Sequence, residues 1–392
     1  MKISNTLKIK IIYFLKFFAD ALFCGYMSMY FATFFANDSI EYGILLGVIP
    51  FCTLIGNFIF GALSKNITKN HTLIKVVLSL ELIGLLAFTI FGSNFVTLLI
   101  FTIFVSLFNS PYFTLQDGLG SYYSSKEGES YISVRSMGSF GYLVALTIGA
   151  LLISLLKENY KIIFLISGAL YFVCLILWFL VPKIEDYKEE VQEKISFLEV
   201  LKNKTFILYF IAYLLIIACN NVGDTYLYAR LSLNGIESST FSLVFAFEIL
   251  LEVIVMFLIL KFVNEKHYVL ILKIAVLFLF LRMFFMGTNS SLPFLIVFAS
   301  LRGIGWGGFI AVHLIVLRRI VSSPLIVKAI SILTIALSLV NGIITITGTS
   351  VYSVISLPYF YLLLSGVMLI GIMIMNTINF DKISEGEVQN EN

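Results

Sequence analysis

Charged residues are scarce in this chain. Asp, Glu, Lys and Arg make up 12% of its 392 residues, whereas hydrophobic residues make up 59%. Soluble globular domains carry about 25% charged residues, so the composition excludes an ordinary soluble domain. The net charge of +3 gives no indication of a nucleic-acid partner, and none is expected.

Histidine and cysteine are few, and both are dispersed along the chain. Each of the four cysteines lies in a separate apolar segment, without CxxC or Cys/His spacing: Cys24, Cys52, Cys174 and Cys219. We therefore expect packed thiols, with no disulfide, no metal site and no cofactor. The chain also lacks a P-loop, GxxxxGK[ST], which excludes ATP as its own energy source.

Long apolar runs, in contrast, are abundant. Twelve segments have about the 20 residues that an α-helix needs to cross a bilayer, and they lack the alternation of β-barrel strands. They form two sets of six: 11–35, 42–63, 72–92, 95–123, 130–156 and 160–181, then 205–231, 238–262, 267–288, 292–317, 326–352 and 358–379. The predicted fold is an all-α membrane protein with 12 transmembrane helices in two six-helix pseudo-repeats.

The polar segments divide the chain further. We predict an N-terminal bundle over 1–181, a cytoplasmic linker over 182–204, a C-terminal bundle over 205–380 and a disordered cytoplasmic tail over 381–392. Eighteen Lys and Arg residues lie on one side of the predicted spans, and three lie on the other. By the positive-inside rule, both termini are cytoplasmic and the protein is a multi-pass protein of the cell membrane.

Nine of the charged side chains deep inside the predicted spans are candidate functional groups. A charge near the bilayer centre costs about 2.5–3.5 kcal/mol even on the most lenient scale, so these groups must face one another or water. A charged, hydrated interior is typical of transporters and channels. The nine are Lys16, Asp20, Asp117, Arg135, Asp224, Glu248, Glu252, Arg282 and Arg302.

The most specific local pattern joins spans four and five. Asp117 and Arg135 lie at equal depth in two antiparallel segments, and Tyr142 lies two turns beyond Arg135 on the same face, with Gly138 between them. One interpretation is an ion pair that binds a polar substrate beside a stacking ring, with Gly138 leaving space. The other is a structural ion pair that fixes helix register.

The acid, the arginine eighteen residues later and the segment RSMGSFGY resemble the major facilitator superfamily. The resemblance is to the branch that includes lactose permease-like, nucleoside and phenylpropionate transporters. It implies the major facilitator fold. It also implies that Asp117 and Arg135 bind substrate and that Tyr142 stacks on it.

The second half contains a further set of candidate residues. Asn221 and Asp224 lie three residues apart in the segment NNVGDTYLY, and an acid at this depth either carries a proton or pairs with a base. Glu248 and Glu252 lie one turn apart, so their repulsion favours a proton on one of them; the alternative is that both pair with arginines.

The resemblance extends to span nine, but the motif of span ten does not match. It gives Arg282 the role of discharging a coupling carboxylate. In LRGIGWGG, Arg302 stands where sugar symporters have a histidine, and Trp306 is a candidate cavity wall. In the loop after span two, Lys65 replaces the usual aspartate, so the role of that aspartate is not transferred.

Span one adds a pair one turn apart. One interpretation is that Lys16 and Asp20 only neutralise each other. In the other, Lys16 extends its ammonium towards the nearby cytoplasmic boundary, and Asp20 is a candidate proton-coupling group that lines the cavity. Glu81 in span three has no evident partner.

These patterns predict a secondary transporter that works by alternating access. The expected activity is proton-coupled uptake of a small polar solute, such as a sugar, an oligosaccharide or a nucleoside-like compound. The alternatives are a proton-driven exporter of amphipathic or aromatic compounds and a non-transporting membrane receptor. We expect a monomer that binds its solute, protons and membrane lipid, and no enzymatic activity.

Overall fold

The computed structural model describes residues 4–64, 67–184, 197–322 and 325–380. Within these ranges the chain is helical and contains no strand. The predicted tail 381–392, Lys65 and most of the predicted linker lie outside the described residues. The helices of the first half are α1 (Asn5–Ala32), α2 (Ile40–Leu63), α3 (Ile67–Phe91), α4 (Phe95–Lys126), α5 (Tyr131–Leu155) and α6 (Tyr160–Leu180).

The second half begins with a short helix and a broken span. The helices are α7 (Phe197–Leu201), α8 (Lys204–Tyr213), α9 (Cys219–Thr225), α10 (Leu227–Ser232), α11 (Ser238–Phe262), α12 (Tyr268–Thr288), α13 (Leu292–Leu317), α14 (Ile326–Ile355) and α15 (Leu357–Thr377). A π-helical turn, Leu214–Ala218, joins α8 to α9. The sequence predicts one continuous helix over 205–231. The structure instead interrupts the α-helical hydrogen bonding at this turn and again at Tyr226.

Eleven helical segments among the described residues are long and apolar enough to cross a membrane. The first helix, α1, is the twelfth long segment, with 28 residues. It contains the buried Lys16 and Asp20. The predicted spans and the observed helices agree within a few residues at most ends.

The start of α1 is held by a side chain from the connection after α4. The carboxylate of Glu127 accepts hydrogen bonds from the Asn5 amide at 2.9 Å and the Thr6 amide at 3.0 Å. Ser4 adds a side-chain cap on the Leu7 amide. These bonds satisfy donors that the first helical turn leaves free. Burial raises the pKa of Glu127, but the bonds from Thr6 and Asn5 outweigh it and lower the pKa below its ordinary value.

The chain divides into two compact units. Unit 1 comprises Met1–Val191 and Glu237–Ala246, and unit 2 comprises Gln192–Ile236 and Phe247–Asn392. In unit 1, α1 packs on α5 and α6, while α4 packs on α2 and α3. In unit 2, α12 packs on α13 and α15. Each unit therefore has its own set of packed helices, and each contains one of the groups of buried charges described below.

Candidate functional site

The structure brings Asp117 and Arg135 together in unit 1. Asp117 lies on α4 and Arg135 on α5, and Arg135 Nε is 3.8 Å from Asp117 Oδ1. The two side chains are 42% and 40% exposed. Tyr13 of α1 donates a hydrogen bond of 2.7 Å to the same carboxylate oxygen. The pair is therefore open, with donors and acceptors left for a further partner.

A ring of α1 supports the arginine. The guanidinium of Arg135 lies 4.5 Å from the centre of the Phe17 ring, within cation–π distance. The same ring fills the space beside Gly138, where an added Cβ would lie 2.8 Å from Phe17. At Gly141 an added Cβ would lie 2.3 Å from the Phe14 carbonyl oxygen. The glycines therefore let α1 approach α5, and a side chain occupies the space that the sequence suggested for a ligand.

Tyr142 lies two turns further along α5. Its side chain is half-buried, and its ring meets Phe245 edge-on, with 6.4 Å between ring centres. The residue thus has an aromatic neighbour as well as an accessible part. This environment allows either of the two roles that the sequence leaves open, stacking on a solute or packing.

In unit 2, one carboxylate bridges two arginines. Arg302 Nε lies 2.8 Å from Asp224 Oδ2, and Arg282 Nη1 donates to Asp224 Oδ1. Arg282 also donates to the side-chain oxygen of Asn220 at 3.2 Å. Arg282 is fully buried, while Arg302 and Asp224 retain some exposure. Asp224 thus pairs with bases, one of the two roles that the sequence leaves open.

Glu248 and Glu252 approach the same arginine from α11. Glu252 Oε2 is 3.2 Å from Arg302 Nη1, whereas Glu248 Oε2 is 3.8 Å from Arg302 Nε. Glu248 is fully buried, and its two oxygens accept no hydrogen bond in the described structure. Two glycines of α13 permit this approach, because an added Cβ at Gly303 or Gly307 would lie 2.3 or 2.5 Å from the carbonyl oxygens of Glu248 and Glu252.

The charges of this cluster do not balance. Three carboxylates, those of Asp224, Glu248 and Glu252, face the guanidiniums of Arg282 and Arg302. An uncompensated charge in the membrane interior is costly. The arrangement therefore has a place for one additional positive charge, which a proton would supply.

A second buried cluster lies in unit 1. Lys16 Nζ is 2.8 and 2.7 Å from the two oxygens of Asp20 and 3.1 Å from Glu81 Oε1. Asn109 donates to Asp20 at 3.0 Å and to Glu81 at 2.7 Å. Tyr171 donates to Asp20 and, at 3.2 Å, to Glu81 Oε1. The cluster joins α1, α3, α4 and α6.

This cluster corrects the sequence interpretation of Lys16. Its side chain is fully buried rather than extended towards the membrane boundary. Its ammonium lies 4.3, 4.6 and 4.8 Å from the ring centres of Tyr171, Tyr112 and Phe113. Carboxylates and ring faces together satisfy the charge in the interior, so the ammonium has no need to reach water.

Comparison with known proteins identifies the family. The MFS_1-like family matches residues 6–363. The chain belongs to this family of the major facilitator superfamily. It is therefore a multi-pass membrane protein of a transporter family. It is 24% identical over 327 residues to the uncharacterized transporter YwbF of Bacillus subtilis (strain 168), a match that covers 82% of this chain and 80% of that protein.

Solved structures show the same fold. The nucleoside transporter NupG superposes with a TM-score of 0.79 at 16% identity, over 96% of this chain and 99% of that one. The POT family transporter PepTSo gives a TM-score of 0.78 at 10% identity, over 95% and 97%. The predicted major facilitator fold is confirmed.

The remaining predicted residues of this MFS_1-like protein lie in unit 2. Asn221 is half-buried on α9, and its backbone carbonyl accepts a hydrogen bond from Thr225. Trp306 of α13 stacks on Phe309, with 5.6 Å between ring centres. His313, further along α13, accepts or donates a 2.6 Å bond with Tyr209 and stacks on Phe309. These aromatic contacts place His313 in the packed interior of unit 2.

Sequence reasoning missed several residues of these sites. Glu81 and Tyr171 belong to the unit 1 cluster, while Tyr13 and Phe17 contact the Asp117–Arg135 pair. A polar or aromatic residue inside an apolar run was the available signal, but the partners lie on helices distant in sequence. Within the described ranges, no three His, Cys, Asp or Glu side chains are grouped as metal ligands.

Proposed function

We propose that this MFS_1-like protein is a secondary active transporter that works by alternating access. It takes up a small polar organic solute of the sugar, oligosaccharide or nucleoside class together with protons. The observation that carries this proposal is the open Asp117–Arg135 pair in the membrane-spanning part of unit 1.

The pair differs from a structural ion pair of the same unit. The Lys16–Asp20 pair is closed, with contacts of 2.7 and 2.8 Å and almost no exposure. Asp117 and Arg135 are 3.8 Å apart, and each is about two-fifths exposed. A carboxylate and a guanidinium held in this way offer an acceptor and several donors to hydroxyl and base groups of a solute.

The fold comparison supports the same solute class. NupG is a nucleoside transporter, and the resemblance around Arg135 extends to sugar symporters. Both kinds of solute combine hydroxyl groups with an apolar or aromatic face. Tyr142, with a half-buried ring on the helix that carries Arg135, is suited to stack on such a face. On this proposal Asn221, Arg302 and Trp306 are the unit 2 residues that contact the solute.

Coupling to protons follows from the charge imbalance in unit 2. Asp224 and Glu252 each contact a guanidinium at hydrogen-bond distance, while Glu248 does not. Glu248 is therefore our choice for the proton-binding carboxylate, with Arg282 and Arg302 as the bases that respond to its charge. Glu252, Asp224 and Asp20 are the alternative proton sites.

The remaining parts of the proposal concern the setting. We place the protein in the cell membrane as a monomer, with both termini in the cytoplasm, because Lys and Arg are concentrated on that side. Its partners are the solute, protons and lipid.

The test is uptake by proteoliposomes under an imposed pH gradient. Radiolabelled nucleosides and oligosaccharides are expected to accumulate when the lumen is alkaline and to stop accumulating when a protonophore is added. Gradient-driven efflux of an amphipathic dye, without uptake of either solute, would favour the exporter. Binding without movement in either direction would favour a receptor.

Variants of the pair sharpen this test. Asp117→Asn and Arg135→Ala are each expected to lower uptake about tenfold or more, because each removes a charged hydrogen-bonding group worth about 1.5–3 kcal/mol. Lys126→Gln, at the exposed end of α4, is the matched control and should transport normally. Uptake by Arg135→Ala at the parental rate would contradict the assignment of this site.

A further inference from the structure

A cavity of about 420 Å³ opens at one end of unit 2. It lies where α12 begins and where α13 and α15 end, so it marks the boundary of three predicted membrane spans. Its walls include Lys266, Lys273 and Arg319. The volume is in the range of sites that bind small ligands or their polar groups.

The cavity wall is strongly basic. Among the nine described residues that line it, three carry a positive charge and none is acidic. The neutral part includes the amide side chains of Asn376 and Asn379, which can donate hydrogen bonds. Such a wall favours an anion with several acceptor oxygens, and phosphate is the common anion of this kind at a membrane surface.

Lys273 differs from an ordinary surface charge in its position and in its burial. It lies five residues after the start of α12 at Tyr268, so it is about 7–8 Å inside the helix end. Its side chain is half-buried, and no carboxylate among the described residues lies within salt-bridge distance of it. Lys16, at greater burial, has two carboxylates. Lys273 is thus a half-buried charge with no carboxylate counter-ion among the described residues.

The surroundings indicate which phosphate compound fits. On the helices that line the cavity, Leu270 and Met373 are 55% and 60% exposed. Leu270 follows Val269 in the sequence, and Met373 precedes Asn376 by three residues. Val269 and Asn376 both line the cavity. A ligand with a phosphate head and acyl chains satisfies the basic wall and the apolar helix surface together. A free phosphate satisfies only the wall.

We propose that this cavity binds the headgroup of an anionic phospholipid. The phosphodiester lies against Lys266, Lys273 and Arg319, and the acyl chains follow the exposed apolar faces of α12 and α15. The lipid thereby supplies a counter-ion that no described carboxylate provides to Lys273. The proposal stands independently of the transported solute.

The experiment is lipid binding to the purified full-length protein in detergent. Phosphatidylglycerol and phosphatidylcholine with the same acyl chains are titrated, and bound lipid is counted by native mass spectrometry alongside the melting temperature. Phosphatidylglycerol is expected to bind and raise the melting temperature, while phosphatidylcholine and inorganic phosphate have little effect. Equal effects of the two lipids, or an equal effect of inorganic phosphate, would overturn the proposal.

The decisive variant is Lys266→Gln/Lys273→Gln. Because each lysine near a membrane surface contributes about 1 kcal/mol to anionic lipid binding, affinity for phosphatidylglycerol should fall about fivefold per lysine and roughly 25-fold in the double variant. Lys266→Arg/Lys273→Arg should retain binding, which separates loss of charge from misfolding. Arg319 is left intact because it also donates to the Glu265 carbonyl oxygen at 2.6 Å.

The matched control is Lys261→Gln/Arg318→Gln. Both residues are exposed near the ends of α11 and α13 but do not line the cavity, so the variant removes the same charge and should bind the lipid normally. Equal weakening in the control would reduce the effect to non-specific attraction and reject the site. A chain ending at Phe380 that binds the lipid when the full-length chain does not would assign the cavity to residues 381–392 instead.

Discussion

Lys16 illustrates how a single side chain keeps a charge inside a membrane protein. Two carboxylates and three aromatic rings lie around its ammonium. The cluster has one more acid than base. The donors Lys16, Asn109 and Tyr171 all converge on one oxygen of Glu81, and the other oxygen is buried without a hydrogen bond in the described structure. Neutralising Lys16 and neutralising Glu81 should therefore have different effects on the stability of the protein.

We expect Lys16→Met to destabilise the protein and Glu81→Gln to be tolerated. Removing the lysine leaves two buried acids without a base, which costs about 3–5 kcal/mol. Replacing Glu81 by its amide leaves the Lys16–Asp20 pair balanced and preserves an acceptor oxygen. Thermal unfolding in detergent measures both. The exposed Lys126→Met is the control, and equal melting temperatures for Lys16→Met and the parent would contradict this account.

The contact between Asp117 and Arg135 could be predicted because the two residues are close in sequence. Asp117 and Arg135 meet because a four-residue connection joins α4 and α5, so equal depth implies proximity. Glu81 could not be paired in this way. Its partners lie on α1, α4 and α6, and only helix packing determines which side chains meet.

Close contact between α11 and α13 sets the geometry of the unit 2 cluster. Gly303 and Gly307 lie one turn apart and face the backbone carbonyls of Glu248 and Glu252. Arg302, beside Gly303, then reaches both carboxylates. The glycines thus allow the two helices to pack closely, because a side chain at either position would force them apart.

Gly303→Leu or Gly307→Leu should lower both the melting temperature and transport. The added side chain would meet backbone at 2.3 or 2.5 Å, which cannot be relieved by a rotamer change, and overpacking of this kind costs about 1–3 kcal/mol or more. Gly366→Leu on α15 is the control, since nothing lies within 4 Å of an added Cβ there. Normal uptake and stability in both variants would show that the two helices have room to separate.

The interruption of the seventh span was not predictable from the sequence. The segment 204–225 has the hydropathy of an uninterrupted span, and its residues have no proline or glycine before Gly223. The π turn at Leu214–Ala218 therefore arises from packing. Residues of α15 contact α8 and this turn, and Gly371 of α15 is in close contact with Ile216 and Leu215.

At the scale of the whole molecule, the cluster of buried charges described in each unit contains one more carboxylate than base. In unit 1 the acids Asp20 and Glu81 face Lys16, and in unit 2 three acids face two arginines. Hydropathy predicted the helical fold, because a bilayer requires long apolar helices. It could not predict which charges balance, since that depends on the packing of each unit.

The imbalance in unit 2 gives a prediction about coupling. Glu248→Gln fixes the neutral state of this carboxyl, so we expect counterflow exchange of solute to continue while accumulation against a gradient is lost. Both activities are measured in the same proteoliposomes. Glu252→Gln, which removes the negative charge bonded to Arg302, is the comparison variant. If both variants still accumulate solute, the proton site moves to Asp224 or Asp20.

The π turn also determines the direction in which Asp224 projects from its helix axis. A π turn contains one residue more than an α-helical turn, and one residue corresponds to a rotation of about 100°. Regularising Leu214–Ala218 would therefore swing Asn220 and Asp224 around the axis and away from both guanidiniums. The orientation of the bridging acid is thus set by a backbone irregularity about two to three turns earlier.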